Sequence, residues 1–177
     1  LPFLFVQLPM YISREDFDKG DGNEDWPTLR EQQWIASQTI SHCGMAVALD
    51  CGEFDNIHPT NKRPVGERLA LQALAKVYGV HVNEEGPYPV SLECRKDRLL
   101  VNFHKSGNGL MLTGEQAFEI AGHDGRYHPA TAKLLPDYTL SLQAEGTEWP
   151  KSARYAWTAY GPTPFYDRMG LPAAPFR

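Results

Sequence analysis

The first 80 residues alternate between apolar runs and longer segments with helical periodicity. Leu1–Leu8 is almost wholly apolar and aromatic, which predicts a strand covered on both faces. Thr28-Leu29-Arg30-Glu31 has the form of a capping box and predicts a helix over residues 28–41. Met45–Asp50 predicts a second buried strand, and Val65–Tyr78 predicts a second helix. This order of strand, helix, strand and helix predicts a parallel sheet built from β-α-β units.

After about residue 82 the pattern changes to short segments with a period of two, separated by turns. Such a pattern is typical of a β-sandwich. The segments are Leu92–Cys94, Leu99–Phe103, Leu110–Leu112, Phe118–Ala121, Thr139–Leu142 and Arg154–Thr158. We therefore divide the chain into an α/β part, residues 1–81, and a β-sandwich, residues 82–177. Because an ordinary sheet has about four to six strands, the first part is expected to be the end of a doubly wound domain.

Composition and charge exclude several classes of protein. The 177 residues include 17 Lys+Arg and 22 Asp+Glu, a net charge of −5, which argues against a nucleic-acid partner. No apolar run approaches the roughly 18 residues of a membrane span. Leu1–Val6 has neither a basic segment before it nor a small-residue cleavage site after it, so it is not an intact signal peptide. Cys43, Cys51 and Cys94 have no zinc-type spacing and are expected to be buried free thiols.

The loop after the second predicted strand holds the densest cluster of ionisable groups. Ligands of open α/β sheets bind beyond the carboxyl ends of the strands, where this loop should lie. Asp55 and His58 are three residues apart, so the carboxylate could orient the imidazole as a general base for a hydroxyl nucleophile. The same spacing is also found in ordinary surface capping. A metal site formed by Asp50, Glu53, Asp55 and His58 is a further alternative, although it lacks converging ligands from elsewhere in the sequence.

A nucleophile for such a base is missing from the sequence. No serine lies in a Gly-x-Ser-x-Gly motif or on an evident turn from strand to helix. Ser106 precedes a glycine, but Ser106–Gly109 is better interpreted as a hairpin turn between two strands. The chain therefore holds two members of a catalytic triad and lacks the third.

Two other features need an interpretation. Ser13–Asp25 is acidic and contains two glycines, but it lacks the terminal Glu of a calcium loop and is expected to be a solvated surface loop. The aromatic residues of the second half support an alternative function, a non-catalytic carbohydrate-binding β-sandwich. These residues include Tyr127, Trp149, Tyr155 and Trp157.

Residues 48–79, ALDCGEFDNIHPTNKRPVGERLALQALAKVYG, resemble the C-terminal catalytic block of the sialate O-acetylesterases of the SGNH hydrolase superfamily. The resemblance covers nearly the whole chain, in order. The other matching motifs are PFLFVQLP at Pro2–Pro9, LREQQ at Leu29–Gln33, FEIAGHDGRYHPA at Phe118–Ala130, ARYAW at Ala153–Trp157 and GLPAAPFR at Gly170–Arg177.

The resemblance implies hydrolysis of O-acetyl esters on sialic acids by a serine nucleophile, with no metal or organic cofactor. Carried over by position, the Asp-x-x-His pattern falls on Asp55 and His58. Many relatives have Asp directly before Ile-His-Pro, where this chain has Asn56, and Asp50 remains the alternative acid. An acetylesterase for other acetylated sugars is the alternative within the same superfamily.

Further expectations come from the same resemblance. Gln7, Arg30 and Gln33 lie in matching motifs and are candidates for substrate binding. The family's serine and oxyanion-hole residues belong to N-terminal blocks that match nothing here. The expected partner is thus an N-terminal portion of the same enzyme that carries the serine, and this chain alone should be inactive. Relatives act in the periplasm, outside the cell or in lysosomes.

Overall fold

The computed structural model describes residues 1–22, 25–104, 109–114 and 117–177. The turn predicted at Ser106 lies outside these residues. The chain is mixed α/β with mostly antiparallel sheets, and it forms two compact units. Unit 1 is Leu1–Gly86 with Thr158–Gly161, and unit 2 is Pro87–Trp157 with Pro162–Arg177. Within the described residues, no helix has the length and apolar character that crossing a membrane requires.

Unit 1 contains the predicted order of strand, helix, strand and helix. It also contains one helix that the sequence did not predict, which lies between the first strand and the first predicted helix. Its elements are β1 Phe3–Val6, α1 Arg14–Lys19, α2 Asp25–Thr39, β2 Cys43–Ala46 and α3 Arg63–Lys76. The strands β1 and β2 pair in parallel, from Phe3 opposite Cys43 to Val6 opposite Ala46. A short 3-10 turn, Leu49–Cys51, follows β2 where the sequence had predicted strand as far as Asp50.

The predicted burial of the first strand is wrong. All four residues of β2 are buried, whereas β1 is half-buried and the Phe3 side chain is 64% exposed. The reason is packing, because β2 lies against both α2 and α3, whereas β1 lies mainly against α3. The described neighbours therefore leave part of the apolar surface of β1 exposed.

Two local predictions in unit 1 are also wrong, and both concern helix starts. Part of the expected surface loop forms α1, whose Ser13 Oγ accepts a hydrogen bond from the Asp16 N–H at 3.0 Å. Gly20 ends this helix in the left-handed conformation, with φ of 71°. Helix α2 is already formed at Asp25, so Thr28 lies inside it and is not its cap.

Unit 2 is built from antiparallel strands. They are β3 Pro89–Cys94, β4 Leu99–Phe103, β5 Leu110–Leu112, β6 Phe118–Ala121, β7 Tyr127–Leu134, β8 Leu140–Gln143, β9 Ser152–Tyr155 and β10 Phe165–Asp167. Six of them form a sheet in the order β3-β4-β8-β7-β6-β9, and β5 pairs with β10. Each of the six period-two segments overlaps a strand, while β7 and β10 were not predicted.

The core of unit 2 is aromatic and aliphatic. Phe103, Phe118, Tyr155 and Phe165 contact one another through tilted and edge-to-face ring pairs, with ring centroids 4.7–6.1 Å apart. The buried Tyr155 hydroxyl accepts a hydrogen bond from the Phe165 N–H at 3.3 Å, so the ring buries no unpaired oxygen.

Candidate functional site

The loops that follow β1 and β2 run side by side at the carboxyl ends of these strands. The Met10 N–H donates to the Leu49 carbonyl at 3.3 Å, and the Asp55 N–H donates to the Ile12 carbonyl at 3.0 Å. Gly52 permits this approach, since a Cβ atom there would lie 1.9 Å from the Met10 carbonyl oxygen. The candidate loop thus lies where the sequence placed it, beyond the ends of the parallel strands.

Glu53 braces the segment that carries His58. Its Oε1 accepts hydrogen bonds from the Thr60 N–H and hydroxyl, both at 2.6 Å, and its Oε2 accepts one from Asn56 Nδ2 at 2.8 Å. These bonds, led by the one from the Thr60 hydroxyl, lower the pKa of the Glu53 carboxyl because they favour its charged form. Residues 53–60 therefore form a loop closed by its own side chains.

His58 projects from this braced loop. The backbone N–H of His58 donates to the Asn56 Oδ1 at 3.0 Å, which fixes the backbone at this position. The residue itself is exposed. In the described part of the chain, the imidazole makes no hydrogen bond or ion pair. The ring is therefore sterically free to meet a group on another polypeptide segment.

Asp55 shares the loop with His58, but the two side chains are not joined. The Asp55 Oδ1 accepts a hydrogen bond from the Arg14 N–H at 2.8 Å, and the residue has a φ of 57°. Its Oδ2 accepts no hydrogen bond from the residues that the structure describes, and none of them links Asp55 to His58. The structure brings the candidate acid and base onto one loop and leaves one carboxylate oxygen available.

Asp50, the alternative acid, is occupied. Its two oxygens accept hydrogen bonds from Arg68 Nη1 at 2.6 Å and Nη2 at 2.8 Å, and Nη1 also donates to the Val47 carbonyl at 2.9 Å. This bidentate pair ties α3 to the turn after β2. Burial, followed by the Asp50 charge, raises the pKa of the neighbouring Cys51 thiol, which favours its neutral, unreactive form.

A small cleft lies beside the His58 loop. Its volume is about 290 Å³, and its walls come from the end of β1, the turn after β2 and the first residues of the α3 region. Ile57 and Pro59, which flank His58 in sequence, both contribute to the lining. The wall is mainly apolar, so the cleft suits an uncharged, weakly polar group such as an acyl chain.

The three candidates for substrate binding are tied to the backbone. Gln7 and Arg30 are fully buried, and Gln7 Nε2 donates to the Arg30 carbonyl at 3.1 Å. Gln33 Oε1 accepts from the Leu8 N–H at 2.9 Å. The guanidinium of Arg30 donates to the carbonyls of Thr158 at 2.9 Å and Ala159 at 2.8 Å. These contacts hold the loop after β1 in place.

No carboxylate pairs with Arg30 in any interaction that the structure describes. Burial therefore lowers the pKa of its guanidinium to about 9. Its Nε and the Gln7 Oε1 are buried without a hydrogen-bond partner among the described residues. A buried polar group without a partner costs free energy, so the structural role of this pair carries a penalty.

The metal alternative finds no support in the geometry. Among the described residues, no group of three or more His, Cys, Asp or Glu side chains is placed to hold a metal ion. The bracing role of Glu53, by contrast, is not evident from the sequence, whose pattern suggests this residue only as a metal ligand. The signal that could have revealed it is an Asn three residues later and a Thr seven residues later, both of which donate to its carboxylate.

Comparison with known proteins gives two kinds of relative. The chain is 30% identical to the sialate O-acetylesterase of Homo sapiens over 99% of its own length, and 30% identical to that of Rattus norvegicus over the same share. It spans 36% of the human protein and 35% of the rat protein. No protein-family model matches the chain.

A solved structure also matches over nearly the whole chain. The crystal structure of a carbohydrate acetylesterase from Xanthomonas citri aligns with a TM-score of 0.88 and 34% identity, covering 99% of this chain and 40% of that one. Homology to sialate O-acetylesterases is thus confirmed over nearly the whole chain, which corresponds to only a portion of those longer proteins.

Proposed function

We propose that this chain is the histidine-bearing portion of an esterase that removes O-acetyl groups from carbohydrates, with O-acetylated sialic acid as its substrate. The observation that carries the proposal is the match to sialate O-acetylesterases over 99% of the chain, which includes the braced loop that presents His58. The relatives, which are sialate O-acetylesterases, supply the substrate class. The exposed His58 imidazole supports the assignment of a general base.

His58 acts as the general base in this proposal. Its imidazole takes the proton from a serine hydroxyl as the serine oxygen attacks the acetyl carbonyl carbon. The same proton then goes to the sugar oxygen, which leaves as the acetyl-enzyme forms. In the second half of the reaction, His58 takes a proton from water as the water oxygen attacks the acetyl carbon, and it returns this proton to the serine oxygen as acetate leaves.

Asp55 orients the imidazole and stabilises its charged form. Its Oδ2 is available on the same loop, whereas both oxygens of Asp50 are committed to Arg68. In the proposed active arrangement, one nitrogen of the His58 ring donates to Asp55 and the other faces the serine. We therefore assign the acid to Asp55 in preference to Asp50.

The serine and the oxyanion-hole donors come from an N-terminal portion of the same enzyme. In this arrangement, β1 and β2 are the last strands of a doubly wound parallel sheet, and the open edge of β1 receives the next strand. Residues 1–81 then complete the catalytic domain, and residues 82–177 form a β-sandwich, with the segment 158–161 returning to unit 1. The compartment proposed from the relatives is the periplasm, the extracellular space or the lysosome.

The test is acetate release from O-acetylated sialic acid by the longer protein that contains this chain. We expect His58→Ala to lower kcat by about 10³-fold or more, since removal of a catalytic base has effects of this size. His81→Ala is the matched control, because His81 is another exposed histidine of unit 1 and should leave turnover unchanged. Unchanged turnover in His58→Ala would remove this residue from the mechanism.

A second candidate substrate is an acetylated polysaccharide. The observation that favours it is the structural relative, which is a carbohydrate acetylesterase. Initial rates on acetyl-xylan and on O-acetylated sialic acid, measured with the same preparation, separate the two. A faster rate on acetyl-xylan would overturn sialic acid as the substrate while leaving the esterase proposal in place.

A further inference from the structure

Unit 2 contains a second cleft, far larger than the one beside the His58 loop. Its volume is about 530 Å³, within the range of roughly 300–1,000 Å³ typical of small-ligand sites. It lies between the turn that joins β3 to β4 and the segment that follows β8, with Thr131 of β7 also in its lining. Loops held at the end of a sheet are common positions for binding sites.

The walls of this cleft are rich in hydrogen-bonding groups. Gln143 Nε2 donates to the Asp97 carboxylate at 3.0 Å, which links the two walls. Lys96, Glu145 and Glu148 also line the cleft, and none of them makes a side-chain hydrogen bond or ion pair with the described residues. Donors and acceptors therefore stand together in one depression without partners. This combination matches the several hydroxyl groups of a sugar, each of which both donates and accepts.

An exposed tryptophan adjoins the cleft. Trp149 follows Glu148, and its N–H donates to the Lys96 carbonyl at 2.8 Å, so its backbone is fixed between two lining residues. The residue is 49% exposed and has a φ of 51°, which is costly for a bulky side chain. Indole faces stack on the C–H faces of sugar rings, which makes such an exposed ring suited to a carbohydrate site.

The other three aromatic residues that suggested carbohydrate binding are either buried or in contact with an arginine side chain. Tyr155 is buried in the core of unit 2. The guanidinium of Arg154 lies 4.3 Å from the Tyr127 ring centroid, and that of Arg177 lies 4.8 Å from the Trp157 ring centroid. Of the four aromatics that the sequence pointed to, Trp149 is the one whose backbone adjoins residues that line this cleft.

Charge selects among sugars. Lys96 is opposed by Glu145 and Glu148, while the third carboxylate of the lining, Asp97, pairs with Arg98 at 2.7 Å, so the unpaired groups carry a formal charge of −1. An acidic sugar would bring its own carboxylate into this field, and like charges disfavour one another. A neutral sugar meets no such penalty.

We propose that this cleft is an accessory site for neutral carbohydrate, which holds uncharged sugar units and disfavours sialic acid. The site does not require the esterase activity, because all of its residues belong to unit 2. If the enzyme does act on acetylated glycans, the cleft would hold neutral parts of the same glycan and raise the local substrate concentration.

Lactose and sialyllactose are matched probes, since they differ by one sialic acid. We expect lactose titrated into the 177-residue chain to shift the NMR signals of the Trp149 indole N–H and the Thr147 amide. Trp149→Ala should weaken the affinity by about tenfold, whereas Met111→Ala, an exposed apolar residue elsewhere in unit 2, should not change it. Sialyllactose should bind more weakly than lactose.

A second variant protects the test against misfolding. Glu145→Gln together with Glu148→Gln keeps both side chains polar and exposed, and should bring the affinities for the two sugars closer together. Shifts confined to residues outside the cleft, or no saturable lactose binding, would overturn the site. Equal affinity for both sugars in the unaltered chain would overturn the selection by charge. Because the readout is binding, none of these results depends on acetate release.

Discussion

Glu53 illustrates how one carboxylate prepares a catalytic candidate without touching it. The three hydrogen bonds that it accepts close the loop, and Asn56, one of its partners, holds the His58 backbone. The arrangement favours charged Glu53. Glu53 therefore affects His58 indirectly, by keeping the loop that carries it in one conformation.

We expect the amide NMR signal of Thr60 to titrate with a midpoint below the usual glutamate range. The hydrogen bonds from Thr60 and Asn56 depress the pKa of folded Glu53, so its bracing is fully present above the unfolded pKa and is lost as pH falls through the lower, folded value. A pH series of ¹H–¹⁵N spectra measures this midpoint. In Glu53→Gln the transition should disappear, and a midpoint at or above the ordinary glutamate value in the unaltered chain would contradict the bracing.

Arg30 is a second residue whose role is structural in this chain. Its guanidinium is buried and bonded to the carbonyls of residues 158 and 159. We expect Arg30→Lys to lower the free energy of unfolding by about 2–4 kcal/mol, because an ammonium cannot reproduce the planar fork and charge-assisted bonds are lost. Urea denaturation followed by tryptophan fluorescence gives this value.

Arg63→Lys is the matched control for that measurement. Arg63 forms an exposed pair with Glu67 within α3, and such pairs contribute little. Its replacement should leave the denaturation midpoint unchanged. An equal loss in both variants would show that the buried contacts of Arg30 are unimportant, and its role in binding substrate would then have to be reconsidered.

At the scale of the elements, the two loops of the candidate site depend on a close backbone approach. We expect Gly52→Ala to lower the free energy of unfolding by about 1–3 kcal/mol, since its Cβ would overlap the Met10 carbonyl and push the loops apart. Gly66→Ala is the opposite case, as Gly66 lies in α3 with no atom within 4 Å of the added Cβ.

Gly66→Ala should therefore raise the free energy of unfolding by roughly 0.5–1 kcal/mol, through helix propensity alone. Thermal or urea unfolding of the two variants provides the comparison. A Gly52→Ala protein as stable as the unaltered chain would mean that the loops can separate without loss. The proposed geometry around His58 would then not be held by this contact.

The elements that the sequence predicted share a strong apolar pattern, and the others lack one. Leu99–Phe103 alternates buried and half-buried side chains, which makes the strand visible in the sequence. In β7 the inward positions are the small Ala130 and Ala132, so the alternation is weak. Pro129 further conceals this strand, although it is tolerated because β7 pairs with β8 only from Thr131 onward.

The same contrast holds for the candidate site. The position of the His58 loop follows from the order of strands and helices, which local patterns reveal. The partners of Asp50 and Asp55 are Arg68 and the Arg14 backbone, which are 18 and 41 residues away. Contacts over such distances depend on the fold as a whole, so sequence spacing could not foresee them.

At the scale of the whole molecule, the open edge of β1 is the feature that most needs an explanation. The strand is wholly apolar, half-buried and paired only with β2 in the described part of the chain. The relatives are almost three times as long as this chain, judged from the 36% that it spans. A neighbouring strand from the remainder of the enzyme would cover this edge, as proposed above.

The edge makes a prediction for individual amides. The N–H groups of Phe3 and Gln7 donate towards β2, so by the alternation of a parallel strand those of Leu4 and Val6 point the other way. In the 177-residue chain, we expect the Leu4 and Val6 amides to exchange with solvent quickly. In the longer protein they should become protected by at least about a hundredfold, as amides in a central strand are.

The Gln7 amide is the internal control, since its hydrogen bond to the Ala46 carbonyl exists in the chain alone and should protect it in both proteins. Hydrogen exchange followed by NMR or mass spectrometry measures all three sites in one experiment. If Leu4 and Val6 exchange equally fast in both proteins, no strand docks on β1. The serine that His58 needs would then have to reach it by another route, and the shared parallel sheet would have to be abandoned.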